Sequence, residues 1–544
     1  MNRMKTDIKS APAGPVASRR APPGDRSGPI SQRGEGDAGY PPEALVALTE
    51  LLDDFARAGL RYCLWKSNVR LPQALAGKTD LDLLVDPSHA GSFRDTIERH
   101  PVKRIVPPPD ARYPGMEHYL GFDRMSGRLF HLHVHYELVL GERYVKNHRL
   151  PLERELLDSR RMLSGAPVPS AALELCVLAV RALLKYRGRD VIKDVFKIRS
   201  PGLPDELYEE ILWLLDQTSR DELHRALART VAVIPSRAVS EFLDAIVRGR
   251  RPGFALWRFR RLVRTQLGTF QRHSRVNARV GYLAAAWSNR TRVRRTPSAM
   301  RQMSPAGGGR SIGLVGADGA GKSTIAWTLS SWLSWKVESR VCYMGSKQPS
   351  RASTALYLMF RAQRRGHRSI ERRLGPGSRL TKGLAVSRDV TLGLHHLSIG
   401  RDRMRRYRAA LRERERGAIV IFDRFPMECL SREPAARLLD GPQIARSVNA
   451  RSGVLGLLAA WEERLYARFR LPDHLFVLVV SPSVSLGRKP DHSADLLLAK
   501  SVAVADLARL ALSCGGSTHV GRIDADRALD EVMLEAKARL WDAL

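Results

Sequence analysis

Nine consecutive residues in the second half of the chain have the types and spacing for phosphate chemistry: Gly316-Ala317-Asp318-Gly319-Ala320-Gly321-Lys322-Ser323-Thr324. Glycines allow the backbone to wrap an anion with its N–H groups turned inward, and a helix start behind them adds partial positive charge. In this Walker A spacing Lys322 reaches the β- and γ-phosphates of a nucleoside triphosphate and the Ser323 hydroxyl sits on Mg²⁺. ATP and Mg²⁺ are therefore the expected cofactors. The apolar run Ala418–Phe422 delivers Asp423 and Arg424. An acid at the C-terminal edge of a buried strand is placed to hold the Mg²⁺ shell, and a guanidinium beside it can grip a phosphate bidentately. A third candidate lies near the start, Asp80-Leu81-Asp82. Alternation along a strand puts both carboxylates on one face, an arrangement that can hold Mg²⁺. His131, His133 and His135 alternate with apolar residues further on, which suits either a half-buried strand or a set of metal ligands.

The elements needed to position these groups can be read around them. Ile312–Val315 is a strand entering the glycine loop, and Thr324 begins a helix. Strands follow at Arg340–Met344, Ala418–Phe422, His474–Val480 and Val520–Ile523, with helices at about 352–416, 454–469, 495–512 and 529–544. This alternation predicts an α/β unit over 311–544 with a parallel sheet flanked by helices. Residues 41–150 read as a separate α+β unit, with a helix at about 42–58, a strand at Tyr62 and the Asp80–Asp86 strand. Residues 151–247 turn helical, with Leu173, Val177, Val180, Leu183 and Leu184 on one face. Lys185, Lys193 and Lys197 read there as a solvated face. Residues 1–40 are rich in Pro, Gly, Ser and Arg and are expected to be a disordered tail.

The net charge of +34 is unevenly placed: sixteen arginines and no acidic residue fall between Asp244 and Asp318. Residues 248–310 are thus a basic linker, within which Leu256, Phe259, Val263, Leu267 and Phe270 form a narrow stripe at helical spacing. Such a helix either docks on a flanking domain or lies on an anionic membrane surface. It carries no recognised nucleic-acid motif. Ser304–Gly309 reads as a flexible hinge. Five scattered cysteines without Cys-x-x-Cys spacing fit a reducing cytosol. No apolar run approaches the roughly 18 residues of a membrane span. A cytoplasmic protein, peripheral to the inner membrane if the linker docks there, is the expectation.

Gly316–Thr324 together with Asp423-Arg424-Phe425 resembles the thymidylate kinase family of nucleoside monophosphate kinases across 311–544. That resemblance implies that Asp318 contacts the acceptor's sugar and Arg424 its phosphate. It also implies that Arg488 and Lys489 form a lid over the transferring group. Tyr62-Cys-Leu-Trp-Lys-Ser-Asn68, Leu439-Asp-Gly-Pro442 and Arg488-Lys-Pro-Asp-His492 are similar to a bacterial subgroup found with surface-polysaccharide genes. The family's Thr-Arg-Glu-Pro acceptor segment is replaced by Tyr343-Met-Gly-Ser346, and Ser431-Arg-Glu-Pro434 falls too late in the chain to serve. The replacement leaves the acceptor open: a dTMP-like nucleoside monophosphate or another phosphorylated small molecule, such as a sugar phosphate, is the expectation. Residues 41–150 resemble the nucleotidyltransferase superfamily, with Lys66-Ser67 in place of its Gly-Ser pair and His where a third Asp is expected. Nucleotidyl transfer by this part, or a regulatory NTP-binding role in polysaccharide assembly, are the alternative functions.

Overall fold

Two sheets carry the candidate residues, and their composition explains their type. The computed structural model describes residues 39–141, 145–186, 203–248, 253–295, 302–426, 441–447, 453–490, 493–513 and 518–544. The expected tail, Lys193, Lys197, Ser431–Pro434, Asp491 and His492 lie outside the described residues, apart from the tail's last two positions. In the first sheet, strands β1 (Tyr62–Leu64), β2 (Leu81–Val85) and β3 (Val102–Val106) are short, while β4 (Met116–Asp123) and β5 (Arg128–His135) are eight residues long and buried over most of their length. Two hairpins follow, β6 (Leu138–Leu140) with β7 (His148–Leu150) and β8 (Arg161–Leu163) with β9 (Ala166–Val168). The sheet closes with β10 (Ser304–Pro305), in the order β1-β2-β5-β4-β3-β10, and only β2 and β5 are parallel neighbours.

The second sheet is wholly parallel: β11 (Ser311–Gly316), β12 (Ser339–Tyr343), β13 (Ile419–Asp423), β14 (His474–Val479) and β15 (His519–Asp524). Its order is β12-β13-β11-β14-β15. Runs such as Ile419–Phe422 are fully buried, as parallel strands covered by helices on both faces must be. Placing β11 between β13 and β14 puts the glycine loop at the sheet's centre, where both neighbours deliver their C-terminal ends.

The helical part is built around the helix Ala171–Lys185, which is apolar on nearly all sides and buried along most of its length. Helices 205–216, 220–229, 236–247 and 253–266 surround it. The hairpin β8–β9 interrupts the stretch expected to be helical. Its cause is local: Ser164 and Gly165 both take positive φ, 47° and 77°, the two-residue turn whose twist suits a hairpin. Leu256, Phe259, Val263 and Leu267 are buried in the lobe's core, with Phe270 packed against it. The stripe is thus a docking face, and its leucines and valine are not presented to solvent.

Ser304–Gly309 is not a hinge. Ser304 and Pro305 pair with Val106 and Ile105, and a Cβ on Gly309 would lie 2.1 Å from the Arg414 carbonyl oxygen and 2.6 Å from that of Ala418. The glycine is there for close backbone approach, which composition alone does not separate from flexibility. A continuous apolar core joins the two sheets: Ile105, Leu120, Phe122 and Leu129 pack in the same cluster as Ile312, Leu333 and Trp541. Phe122 stands edge-on to Trp332 at 5.4 Å, and the Trp332 indole donates to the Gly127 carbonyl at 3.1 Å. Among the described residues no helix is long and apolar enough to cross a membrane.

Candidate functional sites

The glycine loop leaves β11 and turns into the helix Lys322–Leu333 through two residues in the left-handed region, Gly319 (φ 87°) and Gly321 (φ 82°). An L-residue at such angles is strained by about 1–2 kcal/mol, so both positions need glycine. The first-turn amides of a helix have no carbonyl one turn back to bond and carry the positive end of its dipole. Lys322 is buried, and its ammonium donates to the carbonyls of Gly316 (2.8 Å) and Ala317 (2.7 Å). It is held at the loop's mouth. The Ser323 hydroxyl donates to Asp423 Oδ2 at 2.7 Å across the sheet. Asp423 Oδ1 is buried and has no hydrogen-bond partner among the described residues. A carboxylate oxygen left in this way beside a hydroxyl is an oxygen donor pair that fits Mg²⁺.

Asp318 lies between two cations, Lys500 Nζ at 2.6 Å and Arg424 Nη1 at 3.4 Å. Burial pushes its carboxyl pKa up, but the Lys500 hydrogen bond and charge, with Lys322 and Arg424 behind them, hold it below the usual range. The Ser485 hydroxyl fixes the loop from outside by donating to the Asp318 carbonyl at 2.6 Å. Arg424 has φ 65°, a left-handed kink that a non-glycine residue keeps at functional sites at a cost of about 1–3 kcal/mol. The kink turns Phe425 back to bond the Leu314 carbonyl at 3.2 Å and leaves the Arg424 guanidinium on the loop side. Arg488 ends the short helix Pro482–Arg488 and donates to the carbonyls of Ala525 (3.0 Å) and Gly319 (3.3 Å). A cavity of about 480 Å³ unites Gly319, Lys322, Ser323, Thr324, Lys347, Arg424, Arg488, Lys489 and Arg527. The sequence-predicted donor, lid and Asp-Arg residues are therefore brought to one place.

The first sheet holds a different cluster. The parallel register of β2 and β5 sets Asp82 opposite His133 and Leu84 opposite His135. Asp82 Oδ1 lies 2.7 Å from Lys66 Nζ, 2.9 Å from His133 Nδ1 and 3.6 Å from His135 Nε2. Asp80 Oδ1 instead meets Lys336 Nζ at 2.5 Å and His131 Nδ1 at 3.1 Å. The two acids thus face separate partners. Burial raises the Asp82 pKa, and Lys66 and the two histidines overcome it, leaving the carboxylate ionised. Burial drives His133 down to about 3 and His135 to about 4, so both rings are neutral. Lys146 and Lys185 are pushed down to about 8, by burial first and then by neighbouring cations. Lys185 borders a cavity of about 390 Å³ together with Ser67, Asp80, Asp82, Arg181 and Glu210. Lys185 is solvent-exposed, as expected, and its charge stands at the cleft. Ser67 takes φ 61° and gives its amide to Glu210 Oε1 at 3.0 Å.

No family model and no curated protein matches this chain. Among solved structures, deoxyadenosine kinase from M. mycoides with bound dATP is similar at 12% identity and a TM-score of 0.27, over 42% of this chain and 98% of that one. A likeness that weak carries no functional argument.

Sequence reasoning misses three residues of the glycine-loop site, two of which give no signal. Lys500, on the helix Ala494–Ser513, lies 182 positions from the carboxylate it binds. Ser485 is one serine among many. Lys347 was within reach, because it directly follows the Tyr343–Ser346 segment already read as the acceptor position. That segment is pinned by Arg406, which donates to the carbonyls of Gly345 (3.1 Å) and Gln348 (2.8 Å). Arg403 is buried and donates to the Tyr466 hydroxyl at 2.6 Å. Some arginines of the long helix Arg379–Glu415 therefore brace the fold, while others such as Arg401 and Arg405 are solvated.

Proposed function

We propose that the 311–544 unit transfers the γ-phosphoryl group of ATP to a phosphorylated small molecule, a nucleoside monophosphate of dTMP type or a similar acceptor. The observation that carries this is the Ser323–Asp423 contact at 2.7 Å, with a partnerless buried carboxylate oxygen, beside a cavity lined by six cations. The loop amides and Lys322 bind the donor's β- and γ-phosphates. Ser323 and Asp423 would hold Mg²⁺, which when bound neutralises charge on the transferring group. Arg424 and Lys347 hold the acceptor's phosphate, and Asp318, already ionised, orients its hydroxyl groups. Arg488 and Lys489 cover the equatorial oxygens. Catalysis by this set is positioning and charge stabilisation, with no covalent step on the protein. The test is a screen of nucleoside monophosphates and sugar phosphates with labelled ATP. Transfer to at least one acceptor, lost in Lys322→Ala, is expected; no transfer to any acceptor by the wild type sinks the reading.

A second reading is favoured by one surface. The helix Arg275–Arg295 exposes Val276, Val280, Leu283 and Trp287 at helical spacing, flanked by Arg275, Arg279 and Arg290 and by no acid. An apolar ridge with arginines beside it is complementary to an anionic bilayer, and it moves the expected membrane contact from the docked stripe to the next helix. On this reading the protein acts as an NTP-binder at the membrane. Trp287→Ser/Leu283→Ser should abolish co-sedimentation with anionic vesicles; equal sedimentation of variant and wild type excludes it.

A further inference from the structure

We propose that Asp82, His133 and His135 form a site for a borderline divalent transition metal of Zn²⁺ type, with Asp80 outside the ligand set. This is independent of the phosphoryl-transfer reading. Among the described residues these three offer donor atoms that all lie within 4.8 Å of one another. Two donors on one such metal sit about 4 Å apart at most, given metal–ligand distances of about 2.0–2.2 Å, so small side-chain movements complete the set. The backbone already does the harder part: His133 and His135 project from the same face of β5, and the β2–β5 register puts Asp82 opposite His133.

The chemistry of the donors decides the metal. Two imidazoles and one carboxylate suit Zn²⁺, Fe²⁺ or Co²⁺, whereas Mg²⁺ demands oxygen. The pair Asp80–Asp82 does not supply it, because Asp80 is occupied by Lys336 and His131. The rings are also unusually placed for a purely structural role. His135 Nε2, 3.6 Å from Asp82 Oδ1, is buried without a hydrogen-bond partner, as are the far nitrogens His133 Nε2 and His135 Nδ1, although buried polar atoms normally have one. Around them, Trp65 stands edge-on to His135 at 5.1 Å and His118 stacks on His133 at 4.4 Å, which fixes both ring planes.

Lys66 is the competitor. Its ammonium sits on the carboxylate oxygen that the metal needs, so metal binding has to displace it. Lys185 and Asp82 both line the adjoining cavity.

The experiment titrates the full chain with Co²⁺, followed by its visible d–d absorption, and then competes it with Zn²⁺ and with excess Mg²⁺. One Co²⁺ displaced by Zn²⁺ and not by Mg²⁺ is expected. His133→Gln/His135→Gln should lose affinity on the order of a hundredfold or more, since two of the three protein donors go. Asp80→Asn should stay within about threefold, and Lys66→Met should bind more tightly by about tenfold, having removed the competing charge. Circular dichroism and melting without metal check that the variants fold. A wild type that gives no absorption beyond that of the double histidine variant overturns the proposal, as does a loss in Asp80→Asn equal to that in the histidine variant.

Discussion

Glycine substitutions in the loop separate what the fold needs from what the phosphate needs. A Cβ on Gly321 would meet nothing within 4 Å, yet its φ is 82°. Gly321→Ala therefore adds only conformational strain, about 1–2 kcal/mol. The chain can relieve that strain by rotating to negative φ, which turns the amides at the start of the helix away from the phosphates. Losing two charge-assisted hydrogen bonds at about 1.5–3 kcal/mol each lowers affinity for Mg²⁺·ATP by about a hundredfold or more. Gly316 is the opposite case. A Cβ there would lie 2.8 Å from the Leu478 carbonyl oxygen on the adjoining strand β14, and a central sheet cannot give way. Gly316→Ala should cost about 3 kcal/mol of stability by overpacking. Melting with and without nucleotide, plus calorimetric titration of ATP, reads both effects. Gly321→Ala that binds ATP as the wild type does refutes the reasoning, as does Gly316→Ala that melts where the wild type melts.

The linker glycines make a similar pair: Gly309→Ala should cost about 3 kcal/mol or more, while Gly307→Ala, whose nearest contact is 3.9 Å away, stays within about 0.5 kcal/mol. Equal melting temperatures for the two would restore the hinge. Burial raises the Glu174 pKa from 4.5 to about 7, against hydrogen bonds from Asn68 that lower it. The folded state keeps this proton where the unfolded chain has released it, so the stabilisation is full below pH 4.5 and lost as pH rises through about 7. The swing is about 3 kcal/mol at most, and denaturant titrations between pH 5 and 8 should show it flattened in Glu174→Gln.

What could be read in advance was what local spacing encodes. The strand–glycine–helix pattern and the apolar run into Asp423 each carry their conformation within a few residues, and the Ser323–Asp423 contact follows once two strands are parallel neighbours. The stripe Leu256–Phe270 was legible as a buried face but not its partner, because periodicity names a face and not what covers it. The pairings that define charge state were out of reach. Lys500 on Asp318 and Lys336 on Asp80 join residues far apart in sequence, chosen by tertiary packing alone. The hairpin at Ser164-Gly165 was missed for another reason: two small residues between short apolar triplets are a weak signal inside a helical stretch.

The short strand β10 has a consequence for how the protein is made. It completes the first sheet beside β3 but is synthesised about 200 residues after it. At ribosomal rates of about 5–20 residues per second, the β3 edge waits on the order of 10–40 s for its neighbour. Lys103 and Arg104 lie on that edge, and charged side chains are what discourage an open strand from pairing with another chain. A fragment ending before Ser304 would carry the same open edge permanently, together with the uncovered faces of Phe122 and Leu129. Expression of the first half alone should therefore be limited by aggregation rather than by any lack of core.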